Sequence, residues 1–173
     1  MSTIKDVLAE QIPEMREKVK NLVKNHADTV ISEVTVRQLF GGMRGVKCLV
    51  CETSLVDPMK GLIIRGIPIA ELTDRLPEEI FYLLVTGDLP DKASLASFQD
   101  DLKKRAHVSD YVWNVLRDLP EDSHPMEMFN TAILVLEGDS EFRREYSRGM
   151  VKEDYWKPMY EDCLNIIAKL PSL

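Results

Sequence analysis

FGGMRGVKCLVCETSLVDPMKGLIIRG, running from Phe40 to Gly66, holds five of the chain's eight glycines and decides how the rest is read. Two short apolar runs, Val46 to Cys51 and Leu62 to Ile64, flank Asp57-Pro58-Met59-Lys60-Gly61. Pro fixes φ and Gly allows positive φ, so this is a turn sequence and the two runs predict a β-hairpin near residues 46–64. The clustered glycines mark unusual backbone geometry or close approach. Arg44 sits among Gly41, Gly42 and Gly45. Open backbone N–H groups beside a guanidinium suit an anion such as a phosphate, while the plainer reading is an ordinary turn carrying a solvated arginine. No Gly-Lys-Ser/Thr follows, so this is not a phosphate-loop pattern.

Outward from this stretch the chain is mainly helical. Towards the N-terminus, Ile4, Val7, Leu8, Ile12, Met15, Val19, Leu22 and Val23 fall on one helical face, which predicts a helix over about 4–26 with Thr3 as N-cap, Asp6 in a capping box and a bend at Pro13. Asp28 to Val36 reads as a short strand, and Thr35 caps a brief helix through Phe40. On the other side, Ile67-Pro68 opens a short helix. Pro77 to Pro90 contains a core helix bounded by Pro77 and Gly87. Amphipathic helices follow at Asp91–Arg105, Ser109–Leu119, from His124-Pro125 to Gly138, at Asp139–Arg148 and at Lys152–Leu170. The last puts Trp156, Met159, Cys163, Ile166, Ile167 and Leu170 on one face. The helices from His124 and Lys152 carry more apolar surface than the preceding ones can cover, so a partner surface is expected.

Composition narrows the classes. The 173 residues fit one domain, and 45% hydrophobic content fits a globular one. A net charge of −7 without a block of either sign argues against a nucleic-acid surface. No run approaches the ~18 apolar residues of a membrane span, and the first residues lack signal or transit character. Cys48 and Cys51 form a C-x-x-C, but they lie in an apolar run rather than at a helix start and have no second ligand pair; they read as core cysteines rather than a redox or zinc site. His26, His107 and His124 show no metal-ligand spacing. His124 before Pro125 reads as a structural N-cap, since no partner for a general base can be assigned.

Four blocks carry a resemblance: GGMRGVKCLVCETSLVDP continuing to RG, PEEIFYLLVTGDLP, SHPMEMFNTAILVLEGDSEF and YWKPMYEDCLNIIAKLP. Together and in this order they resemble the N-terminal region of eukaryotic-type citrate synthase, over essentially all of this chain but only about the first two-fifths of a family member. The resemblance implies a mainly α, multi-helical large-domain fragment, with residues 1–173 as the N-terminal part of that domain. The family condenses acetyl-CoA with oxaloacetate to citrate and CoA without a further cofactor, as a homodimer. It also implies that Arg44 contacts CoA phosphates, where a forked, permanently charged donor suits the ligand. Lys152, ahead of Asp154-Tyr155-Trp156, matches a second phosphate contact where animal enzymes have Arg; nearby Glu153 and Asp154 weaken its potential.

The family's two catalytic histidines and aspartate fall beyond the last residue of this chain, so no catalytic role moves onto any histidine here. Residues 1–173 alone are therefore expected to be inactive. The helices near 124–137 and 152–170 match the dimer interface, so the expected partner is a second copy or the remainder of a citrate synthase chain, with neither nucleic acid nor membrane involved. The resemblance favours the mitochondrial matrix. Two other readings compete, namely a non-catalytic assembly module derived from citrate synthase and a small CoA-binding protein using Arg44 and Lys152.

Overall fold

The computed structural model describes residues 3–47 and 49–173. Eight α-helices and one three-stranded sheet are present among them. They divide into two compact units, one ending at Asp91 and the other spanning Lys92–Leu173. No helix among the described residues is long and apolar enough to cross a membrane.

In the first unit, α1 (Ile4–His26) starts as its sequence dictates. Thr3 Oγ1 accepts from Asp6 N–H at 3.2 Å and Asp6 Oδ2 accepts from Thr3 N–H at 2.8 Å, closing a reciprocal capping box. Glu14 and Lys18 pair at 2.8 Å on the solvent side. Thr35 and Gln38 repeat the same box at the start of α2 (Val36–Phe40). The expected strand over Asp28 to Val36 is not formed: residues 29–35 belong to no helix or strand, and Val30 and Ile31 are exposed. β-branched residues favour a strand only where a neighbouring strand can pair with them, and none does here.

The hairpin forms later than its apolar run suggested. Asp57 Oδ1 accepts from the N–H groups of Met59 (2.8 Å) and Lys60 (2.9 Å), which fixes the turn and with it the register. β1 (Ser54–Asp57) pairs antiparallel with β2 (Gly61–Ile64), Asp57 facing Gly61 and Ser54 facing Ile64. Because β2 has only four residues, its register ends at Ser54. The run from Val46 to Cys51 lies past that limit and is not a strand in its described residues; Cys48 lies outside them. Arg65 and Gly66, at φ 47° and 84°, form a two-residue turn with positive φ at both positions, leading directly to β3 (Ile67–Pro68). The expected helix after Ile67 is thus an edge strand followed by a single 3₁₀ turn, Ile69–Glu71. Pro68 is tolerated on an edge strand, where a ladder donor is dispensable.

α3 (Pro77–Thr86) closes the unit. Gly87, at φ 93°, donates its N–H to Leu83 O at 2.8 Å, ending the helix where the sequence placed its stop. Ile64, Leu72 and Leu83 form the buried centre, with Leu62, Ile67, Ile80, Leu84 and Leu89 around them.

The second unit holds α4 (Lys92–Arg105), α5 (Asp110–Arg117), α6 (Pro125–Val135), α7 (Glu141–Ser147) and α8 (Trp156–Lys169). Val108, Val112, Ala132 and Leu136 pack together between α5 and α6. Arg105 ties α4 to α8, bonding Asp101 (3.0 Å) within its own helix and Glu161 (2.9 Å) and Asn165 (3.0 Å) across the contact. α8 is turned differently from the expected face. Pro158, Leu164 and Ala168 are buried, whereas Met159, Cys163 and Ile166 point outward. The reason is a pair of anchors on the buried side: Asp162 accepts from Ser140 Oγ at 2.6 Å and Lys169 Nζ donates to Asp139 at 3.1 Å, which commits that side of the helix to its neighbours.

Candidate functional site

Arg44 lies in a sequence of tight turns after α2. Gly42, Met43 and Gly45 have φ of 72°, 60° and 76°, so a non-glycine residue is held in the left-handed region directly beside it. That conformation costs roughly 1 kcal/mol and persists only where neighbouring bonds fix it. Here Met43 N–H donates to Gln38 O at 2.8 Å and Val46 N–H to Met43 O at 3.1 Å. Arg44 itself is exposed, and no ion pair engages its guanidinium among the described residues. An exposed, unpaired guanidinium on a fixed turn can take a phosphate bidentately.

A second arginine of the same stretch has a structural task that the sequence did not disclose. Arg65 Nε and Nη2 both donate to Leu84 O, at 3.1 and 2.8 Å, and Nη1 donates to Glu52 O at 3.4 Å. Leu84 O is among the last four carbonyls of α3, which lack helical partners and sit at the negative end of the helix dipole. Arg65 therefore ties the sheet and the segment before β1 to α3. Its positive φ was the missing clue, since Arg-Gly gives no ordinary signal for a primed turn.

Lys152 opens a 3₁₀ turn, Lys152–Asp154, just ahead of α8. It is exposed, and among the described residues it has no ion pair. The expected weakening by Asp154 is reduced because that carboxylate bonds Lys157 Nζ at 2.8 Å. Arg44 belongs to the first unit and Lys152 to the second.

The other polar groups are occupied structurally. His124 Nδ1 accepts from Met126 N–H at 3.1 Å and caps α6. His26 and His107 are exposed. Burial pushes the Asp139 carboxyl up, but hydrogen bonds from Lys169 (3.1 Å), Ser109 (3.0 Å) and Tyr111 outweigh it and hold the group below its ordinary value. Asp162 accepts from Ser140 Oγ (2.6 Å), Glu141 N–H (2.7 Å) and Phe142 N–H (3.0 Å), seating α7 on α8. No group of three metal-ligating side chains occurs among the described residues.

Cys51 corrects the reading of core cysteines. It is exposed, and hydrogen bonding, first from the Thr53 hydroxyl and then from the Ser54 and Thr53 backbone, lowers its thiol to about 7. Cys163 is also exposed, yet partial burial pushes its thiol up.

With this geometry in place, comparison with known proteins is decisive. Residues 42–173 match the family described as citrate synthase, C-terminal domain. The chain belongs to the citrate synthase family. It is 40% identical over 179 aligned positions to the mitochondrial citrate synthase of Saccharomyces cerevisiae, covering 98% of this chain and 37% of that protein. Mitochondrial citrate synthase 4 of Arabidopsis thaliana is 39% identical over 178 positions, covering 97% and 38%. The chain thus spans under two-fifths of the length of these relatives. Among solved structures, citrate synthase from Pyrobaculum aerophilum superposes with a TM-score of 0.63 at 26% identity, over 76% of this chain and 33% of that one. A ternary complex of the Thermoplasma acidophilum citrate synthase with carboxymethyl coenzyme A and oxaloacetate has a TM-score of 0.59 at 19% identity, over 75% of this chain and 32% of that one, and speaks to the fold alone. The mainly α fold expected from the sequence is the fold of this family.

Proposed function

We propose that this chain works as part of a citrate synthase, condensing acetyl-CoA with oxaloacetate to citrate and CoA, and that its own contribution is to hold CoA phosphates through Arg44 and Lys152. The observation that carries this reading is the identity of about 40% to mitochondrial citrate synthases along nearly the whole chain. Arg44 supports it chemically, as an unpaired guanidinium on a turn whose backbone is already fixed. Lys152 supplies a point charge rather than a fork, so it is the weaker contact. Within such an enzyme the chain forms the N-terminal part of the large domain. On this reading the 173 residues alone do not turn over, and His124, whose Nδ1 accepts from Met126 N–H, serves as a helix cap.

The partner surface is formed by α6 and α8, where Met126 (55% exposed), Leu134 (76%) and Met159 (51%) leave apolar area uncovered. It takes a second copy or the rest of a citrate synthase chain. The relatives are named mitochondrial, which supports a mitochondrial location, and the matrix is the compartment proposed for it. The test is a CoA titration of the native protein and its Arg44→Gln variant. The reading expects roughly tenfold weaker binding in the variant, the scale of one lost charge-assisted hydrogen bond. Equal affinity in the two proteins removes Arg44 from the site.

A further inference from the structure

We propose that Phe142, Tyr146 and Tyr155 are positioning residues for Lys152, their rings fixing the turn that presents its ammonium to a phosphate. This rests on the reading of Lys152 as a CoA contact. The segment between α7 and α8 is tied at both ends. At its entry Gly149, at φ 83°, donates to Tyr146 O at 3.0 Å, and Met150 N–H donates to Glu145 O at 3.3 Å. At its exit Asp154 N–H donates to Val151 O at 3.0 Å and Tyr155 N–H donates to Lys152 O at 3.3 Å. The residue bonded to the Lys152 carbonyl is therefore Tyr155.

The Tyr155 ring is held from α7. It meets Phe142 edge-on at 5.3 Å between centroids and 85°, and Tyr146 at 5.8 Å and 64°. Phe142 and Tyr146 stack on each other at 5.7 Å and 21°. These separations and angles are the favourable ones for aromatic pairs. α7 cannot drift with the rings, because Asp162 on α8 receives the N–H groups of Glu141 and Phe142 and the hydroxyl of Ser140. The triad thus closes a short circuit from α8 through α7 to the turn and back to α8, with Lys152 at its open point. A lysine whose backbone is fixed loses less freedom on meeting an anion than one on a loose loop.

The test is a double-mutant cycle read as affinity for CoA in the native protein, with Tyr155→Leu, Lys152→Gln and their combination. Tyr155→Leu is expected to weaken CoA binding roughly fivefold, the scale of the aromatic contacts removed. In the Lys152→Gln background the same change is expected to cost nothing more. Tyr155→Phe, which keeps the ring, restores wild-type affinity. Phe142→Leu enters the same cycle should Tyr155→Leu fail to fold. A loss that persists in full without Lys152 overturns positioning and leaves a general structural role, while the phosphate reading stands. Unchanged affinity in Lys152→Gln, or no CoA binding by the wild type, overturns that reading and the inference with it.

Discussion

Replacing Arg65 by alanine and by glycine separates two contributions that the native residue combines. Both variants lose the guanidinium and its bonds to Leu84 O and Glu52 O. Hydrogen bonds from a charged group contribute about 1.5–3 kcal/mol each, and this pair of donors shares one acceptor, so the loss is about 2 kcal/mol. Alanine keeps the cost of a side chain at φ 47°, whereas glycine relieves about 1 kcal/mol of it. Glycine is ordinarily the worse residue in regular structure, so the expected order is inverted here. Hydrogen exchange on peptides covering β2 and α3 reads the result locally. Protection is expected to fall roughly thirtyfold in Arg65→Ala and roughly fivefold in Arg65→Gly. Alanine equal to or better protected than glycine refutes the argument that Arg65 holds a strained turn by clamping α3.

Other consequences are simpler to state. Leu164→Ala, at a fully buried position on α8, is expected to cost about 3 kcal/mol and to be read by denaturant unfolding followed at Trp156 or Trp113 in the same unit. His124→Ala removes the acceptor for Met126 N–H and should cost about 1 kcal/mol, with faster exchange confined to the first turn of α6. Alkylation of Cys51 should rise through a midpoint near pH 7, while Cys163 reacts only at higher pH, as mass spectrometry of the labelled peptides would resolve. The Asp139 carboxyl is held low in the folded chain, so its bonds to Lys169 and Ser109 stabilise the second unit above the ordinary carboxylate range; that contribution fades as pH falls through the lowered value. Asp139→Asn should flatten this acid limb in pH-dependent unfolding curves.

Much of the fold was legible because its signals are local. Thr3 with Asp6, Thr35 before Val36, and Pro77 with Gly87 mark element ends by chemistry within four residues or by a fixed backbone preference, and the structure uses each of them. Failures came where a distant partner decides. Val46 to Cys51 and Asp28 to Val36 have strand composition, but the hairpin register is settled by Asp57 and the length of β2, and among the described residues no strand pairs with the second segment. The orientation of α8 could not be read from its own apolar positions, because they occur on two sides and the choice is made by Asp162 and Lys169 bonding to residues about 20 to 30 positions away. Arg44 and Lys152 were reached through resemblance; composition and spacing around them point only to an exposed cation on a turn. The bond from Met43 N–H to Gln38 O behind Arg44, the Arg65 clamp on α3 and the contacts among the Phe142, Tyr146 and Tyr155 rings depend on the folded chain and have no sequence signal.

The most direct test of the account is oxaloacetate-dependent release of CoA from acetyl-CoA by the native protein purified from its source, with the intact mass of the same fraction. The account predicts release that depends on oxaloacetate, from an assembly that supplies carbonyl chemistry in addition to these 173 residues. A homogeneous native preparation that binds its partner chains and releases no CoA would contradict it and make the chain an assembly module of the citrate synthase family.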